Sequence, residues 1–299
     1  MPDDDARTLL GRLGVWSGEL RDAGRPQARE AAAALGAQGL HTLWIPGLDG
    51  RGAFDDVRHL LAAAPRATVA LGVLGIWGQD PADVAERVHA LDGDFGPRTV
   101  IGFGVSNQHA AASAGQVYGD PIAAMSGYLD ALDGAAYPVP AARRLLGALG
   151  PKMAGLAASR TAGLHPFLVT PEYTAATRAR LGPAPLIAPH QAAVFDTDPS
   201  RARAIARDRI GAFIGFPAYR TNLRHLGFAE ADLAPGGSDR LIDAVVAHGT
   251  ADNIRARIQA HLDAGADHVA VHVLTGEGSA GALPTGQWRE LAGLRPALT

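Results

Sequence analysis

One lysine stands among the 27 Lys and Arg residues of this 299-residue chain, at position 152 in the string Gly150-Pro151-Lys152-Met153. It follows an apolar run, Leu145-Leu146-Gly147-Ala148-Leu149, and opens an Ala-rich stretch, Met153 to Arg160, that reads as a helix. A Gly-Pro at the mouth of a helix leaves backbone N–H groups free and turns the positive end of the dipole outward. That arrangement holds phosphate or carboxylate. The plainer reading of Lys152 is a solvated surface charge.

Other chemically capable groups fall at the ends of apolar runs: Ser17, Trp77 in Gly75-Ile76-Trp77, Asn107 in Gly104-Val105-Ser106-Asn107, His165-Pro166, His190-Gln191 and Glu277 in Thr275-Gly276-Glu277. Trp77 can stack on a flat ring, wall a pocket or plug the core. Asn107 can donate to a carbonyl or simply form a turn, and His165 is a candidate acid–base group. No pair of acids is placed for glycoside hydrolysis, no Gly-x-Ser-x-Gly elbow occurs, and no His/Asp/Glu cluster has metal-ligand spacing. The chain has no Cys, which removes thiolate and iron–sulfur chemistry. Backbone donors and apolar faces along such a rim suit a flat aromatic cofactor with a phosphate tail.

What must position these groups is a run of strand–helix units. Leu13 to Trp16, Thr42 to Ile45, Thr68 to Leu74, Thr99 to Phe103, Leu145 to Leu149, Leu164 to Val169, Pro185 to Val194 and His268 to Leu274 read as strands. Helices follow most of them, with starts at Asp80-Pro81, Pro151, Thr170-Pro171 and Asp198-Pro199. An insertion of about 215–238, rich in Gly, Pro and aromatics, follows the seventh unit, and a helix is expected over Asp239 to Ala247. Eight units without a boundary linker predict a single (β/α)8 barrel over residues 1–299, with a doubly wound open sheet as the alternative. The Gly102-x-Gly104 pair is a poor dinucleotide fingerprint.

A net charge of −3 gives no reason to expect nucleic acid. The acidic start Met1-Pro2-Asp3-Asp4-Asp5 is unlike a signal or transit peptide, and no apolar run approaches the ~20 residues of a membrane span. A cytoplasmic protein without a membrane partner is the expectation.

Several strings in this order resemble the luciferase-like flavin and deazaflavin oxidoreductases, and within them an actinobacterial branch of probable coenzyme F420-dependent oxidoreductases. They are Tyr118-Gly119-Asp120-Pro121, Leu146 to Met153, His165-Pro166-Phe167-Leu168-Val169-Thr170-Pro171-Glu172, Gly237-Ser238-Asp239-Arg240-Leu241 and Ala264-Gly265-Ala266-Asp267-His268-Val269. The likeness covers nearly the whole chain. It implies a barrel carrying the deazaflavin ring across its strand tops, and a non-prolyl cis peptide after the third strand, for which Gly72-Val73 is the candidate. It also implies Gly104-Val105-Ser106 beside the ring, the phosphate at Gly150 to Met153, and a homodimer or larger homo-oligomer. The aromatics Phe213, Phe216, Tyr219 and Phe228 of the insertion can lid the pocket or form the subunit contact, and the resemblance favours the contact.

The chain departs from that pattern at the rim. Gly47 stands where the branch has an acid, Gly75 and Gln79 where it has Asn and Arg, and Asn107 where a His usually follows Ser106. The expected activity is hydride transfer between F420 and a small or medium organic substrate, with Asn107, His165 and Trp77 as catalytic candidates. The alternatives are an FMN-dependent monooxygenase, a cofactor-independent cyclase or isomerase, and a binding protein.

Overall fold

Short apolar runs, buried on both faces, pair in parallel and form the wall of the fold. In the computed structural model, which describes residues 5–276 and 282–298, they are β1 (Leu13–Trp16), β2 (Thr42–Ile45), β3 (Thr68–Gly75), β4 (Thr99–Gly104), β5 (Arg144–Leu146), β6 (Gly163–Leu164), β7 (Leu186–Ile187), β8 (His190–Val194), β9 (Val246–His248) and β10 (Val269–Val273). Glu277, expected on the rim, lies outside the described residues. The strand order is β7-β6-β5-β4-β3-β2-β1-β10-β8-β9. Because β7 runs into β8 through only Ala188 and Pro189, one chain segment links the first strand of this curled sheet to the one before its last. Backbone bonds draw these two sides together: Asp267 N donates to Ile187 O (2.9 Å) and His190 N to Pro166 O (2.9 Å).

Helices cover the outside, and their starts follow local chemistry. Asp80, Asp120 and Asp198 each accept two first-turn amides ahead of a proline. The main core packs Leu and Val from these helices against β1 to β4 and β10. A second core gathers Ile210, Ile214, Leu223, Phe228, Leu241 and Ile242 around β8 and β9. No helix among the described residues is long and apolar enough to cross a membrane.

Several boundaries differ from the sequence reading. The expected fifth strand stops at Leu146, and the sixth is only Gly163–Leu164, because Pro166 and the positive φ of Leu168 end the pairing. Pro189 splits the seventh strand in two. The helix expected over Asp239 to Ala247 ends at Val245, after which the β-branched Val246 turns extended and opens the unforeseen β9.

Candidate active site

Between Leu71 and Leu74 the register of β3 against β4 shifts, and within that bulge the Gly72–Val73 peptide is cis, at the position the resemblance indicates. The bulge pushes the Val73 side chain over β4, where only glycine fits beneath it. A Cβ on Gly104 would lie 2.7 Å from Val73 Cγ2, and one on Gly102 would lie 2.6 Å from Leu71 O. Gly72, Val73, Val105 and Gly147 all remain partly exposed, so the tops of β3, β4 and β5 form a shallow shelf of small side chains. Ser106 closes its edge, exposed and with φ of 47°.

Beside the shelf, Gly147 N donates to Phe103 O (2.8 Å), and three residues on the chain enters the helix Pro151–Arg160. Gly150 caps it without a side-chain bond, and the first helical bond runs from Ala154 N to Gly150 O (3.0 Å). The amides of Lys152 and Met153 therefore have no intrahelical acceptor. Lys152 is exposed, whereas Met153 is buried in the main core. From the neighbouring helix the buried Tyr173 hydroxyl reaches the carbonyls of Ala148 (3.1 Å) and Leu149 (3.0 Å) and fixes this turn.

The three catalytic candidates separate. Trp77 is on the rim: its Nε1 donates to Val105 O (2.6 Å), its ring centroid lies 5.6 Å from that of Tyr118, and it walls the shelf. Asn107 is a helix N-cap, with Oδ1 accepting from Ala110 N (3.0 Å), so its oxygen is occupied. His165 lies below the shelf, 2% exposed and stacked on Trp44 (centroids 4.2 Å, interplanar 14°). Its Nδ1 sits 2.6 Å from Ala188 O and so carries the proton, which leaves Nε2 a buried lone pair without a partner. Burial holds its pKa down at about 4, so this imidazole is neutral at physiological pH. A Cβ built on Gly72 would lie 2.9 Å from His165 Nε2, which places the ring under the bulge rather than on the rim.

Gly47, in place of an acid, has a steric cause. Any Cβ there would fall 2.6 Å from Leu74 Cα, because the bulge brings β3 against the loop after β2. Gln79 donates to Asp49 O (2.7 Å) and pins that same loop.

A polar cluster that the sequence reading did not assemble closes the opposite side of the mouth. Glu19, just after β1, is 6% exposed. Its Oε1 accepts from Arg209, and its Oε2 accepts from Ser17 Oγ at 2.8 Å. His272 on β10 lies 3.1 Å from His190 through Nδ1, while its Nε2 has no hydrogen-bond partner. Burial first, then Arg209, pushes the His272 pKa down to about 3. His268 and His272, four residues apart, share one strand face, and the sequence marks neither as part of this cluster. Arg209 is 190 positions from Glu19, and nothing local points to it. His268 is a satisfied core imidazole, taking the Trp44 Nε1 proton (2.9 Å) and facing Gly11 O (2.9 Å).

Of the aromatics expected to form a subunit contact, Phe213 and Tyr219 meet Phe167 (centroids 4.9 and 6.1 Å), Phe228 is buried beneath Arg240, and Phe216 is 40% exposed.

No protein-family model matches the chain, and no curated protein matches it. Solved structures do. An F420-dependent secondary alcohol dehydrogenase in complex with an F420–acetone adduct superposes with TM-score 0.73 at 15% identity, covering 97% of this chain and 99% of that one. The coenzyme F420-dependent tetrahydromethanopterin reductase from Methanopyrus kandleri gives 0.74 at 15% identity, over 97% and 100%. The oxygenating constituent of 3,6-diketocamphane monooxygenase from Pseudomonas putida, in complex with FMN, gives 0.67 at 10% identity, over 97% and 99%. The chain thus has the fold shared by F420-dependent oxidoreductases and luciferase-like monooxygenases.

Proposed function

We infer that this chain is a luciferase-like (β/α)8 oxidoreductase that moves a hydride between coenzyme F420 and a small or medium organic substrate. The observation that carries the reading is the continuity of the small-residue shelf at Gly72, Val73 and Gly104 with the uncapped helix start at Gly150. The residues present suit a flat ring with an anionic tail. Part-exposed Val73, Val105 and Gly147 offer an apolar face, no atom approaches within 4 Å of a Cβ position on Gly150, and two amides lack intrahelical acceptors. Gly104, Val105 and Ser106 would border the ring, while Gly150, Pro151, Lys152 and Met153 would hold the phosphate through backbone N–H groups and the Lys152 charge. When bound, F420 supplies a two-electron hydride donor or acceptor at its C5. The protein orients the reactants and excludes water, with Trp77 as one wall. Titration of the purified protein with F420 and with FMN, followed by cofactor fluorescence, tests this reading. Micromolar binding of F420 with no binding of FMN is expected. Binding of FMN alone would favour a monooxygenase, and silence from both would remove the redox reading.

A further inference from the structure

We propose that the mouth contains a subsite for a substrate oxygen, in which His272 Nε2 donates to an alcohol or ketone oxygen and Glu19 Oε2 accepts from the alcohol hydroxyl. This rests on the proposed function, and it deepens that reading by naming a substrate class.

The geometry is that of an unfinished hydrogen-bond chain. His272 Nε2 is buried, has no hydrogen-bond partner, and stands 3.9 Å from Glu19 Oε2, too far for a direct bond. Facing a carboxylate, Nε2 is the nitrogen that carries the proton. Nδ1 then accepts from His190 Nε2–H across 3.1 Å, and this contact fixes the ring. Glu19 accepts from Arg209 at Oε1, while Oε2 takes one bond from Ser17 and retains a second acceptor direction. An oxygen placed beside the gap can reach both groups. A hydroxyl satisfies both at once, since it accepts from the imidazole and donates to the carboxylate.

The surroundings favour an organic oxygen over water alone. The Trp16 ring packs on His272 (centroids 4.4 Å) and Phe167 on His190 (3.9 Å), giving carbon a face to rest on. The same indole donates from Nε1 to Gly72 O (3.3 Å), so a single side chain spans from the bulge to the proposed subsite.

The test uses full-length protein labelled with 15N at histidine, with the His272 Nε2 resonance identified by its loss in His272→Gln. The probes are 2-propanol and acetone, with and without F420. Saturable shifts of that resonance are expected with both probes. In Glu19→Gln the 2-propanol response should weaken roughly tenfold, while the acetone response is retained or strengthened. No response to either probe, or an equal loss of both in Glu19→Gln, overturns the proposal. If Glu19→Gln does not fold, Ser17→Ala serves instead. It frees an acceptor direction on Oε2 and should strengthen 2-propanol relative to acetone, and an equal change overturns the proposal. Fluorescence titration of F420 on the same samples separates the two readings. Failure of F420 to bind with the probe shifts intact defeats the cofactor assignment alone, whereas F420 binding without probe shifts defeats the subsite alone.

Discussion

Lys152 is an exposed point charge at the head of a helix whose first amides are unoccupied, so its contribution to an anion there is modest and separable from that of the backbone. Lys152→Ala should weaken F420 affinity by about 1–2 kcal/mol while leaving stability unchanged. A fluorescence titration of the variant checks this, and an unaltered dissociation constant would show that the amides act without the side chain. His165 illustrates the opposite case, a residue whose type promised more than its position allows. With Nδ1–H engaged by Ala188 O and its pKa held near 4 by burial, it cannot donate a proton through Nε2 at neutral pH. Asn107 has likewise exchanged one acceptor for a structural duty at the start of the helix Gln108–Ser113.

The β3 bulge organises more of the site than any single side chain does. It determines where Val73 lies, requires glycine on β4 beneath it, and presses Leu74 against Gly47. The contact is locked by Leu48 N to Val73 O (3.1 Å) and Gly75 N to Leu48 O (2.7 Å), so the backbone has little room to retreat. Gly47→Ala should therefore cost about 1–3 kcal/mol in urea unfolding, and a neutral substitution would mean that the loop after β2 yields. The bulge position followed from the resemblance, which points to Gly72-Val73, and the helix start at Gly150-Pro151 was readable from local chemistry. The short β6, the break at Pro189 and the new strand β9 were not, because each depends on which neighbour the segment meets. The Glu19–Arg209–His272 cluster was hidden for the same reason, its members coming from the start of a short helix, the end of another helix and a strand far apart in the chain.

At the scale of the whole molecule, the interior of the curl is lined by imidazoles. His165, His190, His268 and His272 are buried with lowered pKa values, and His261 joins them outside, bonded to Gln191 and Thr174. Each binds a proton less readily when folded than at its ordinary value of 6.5. As pH falls through that value the unfolded chain takes up protons that the folded chain refuses, so stability falls. The loss continues down to about 4 for His165 and His268 and about 3 for His261 and His272. Each histidine contributes up to about 1.4 kcal/mol per pH unit in that window. Urea midpoints should accordingly be steady above about pH 7 and drop steeply toward about pH 5, where a flat profile would contradict the burial of these rings.

On the proposed function, the shelf beside the β3 bulge and the first amides of the helix Pro151–Arg160 together grip a phosphate-tailed deazaflavin. The most direct test of this grip is the backbone 1H–15N spectrum during F420 addition. The amides of Lys152, Met153 and Gly104 should shift to saturation with the fluorescence change, while those of Asn253 and Ile254, at another helix start, stay in place. Binding of F420 that leaves Lys152 and Met153 unmoved, or no binding at all, would contradict the account.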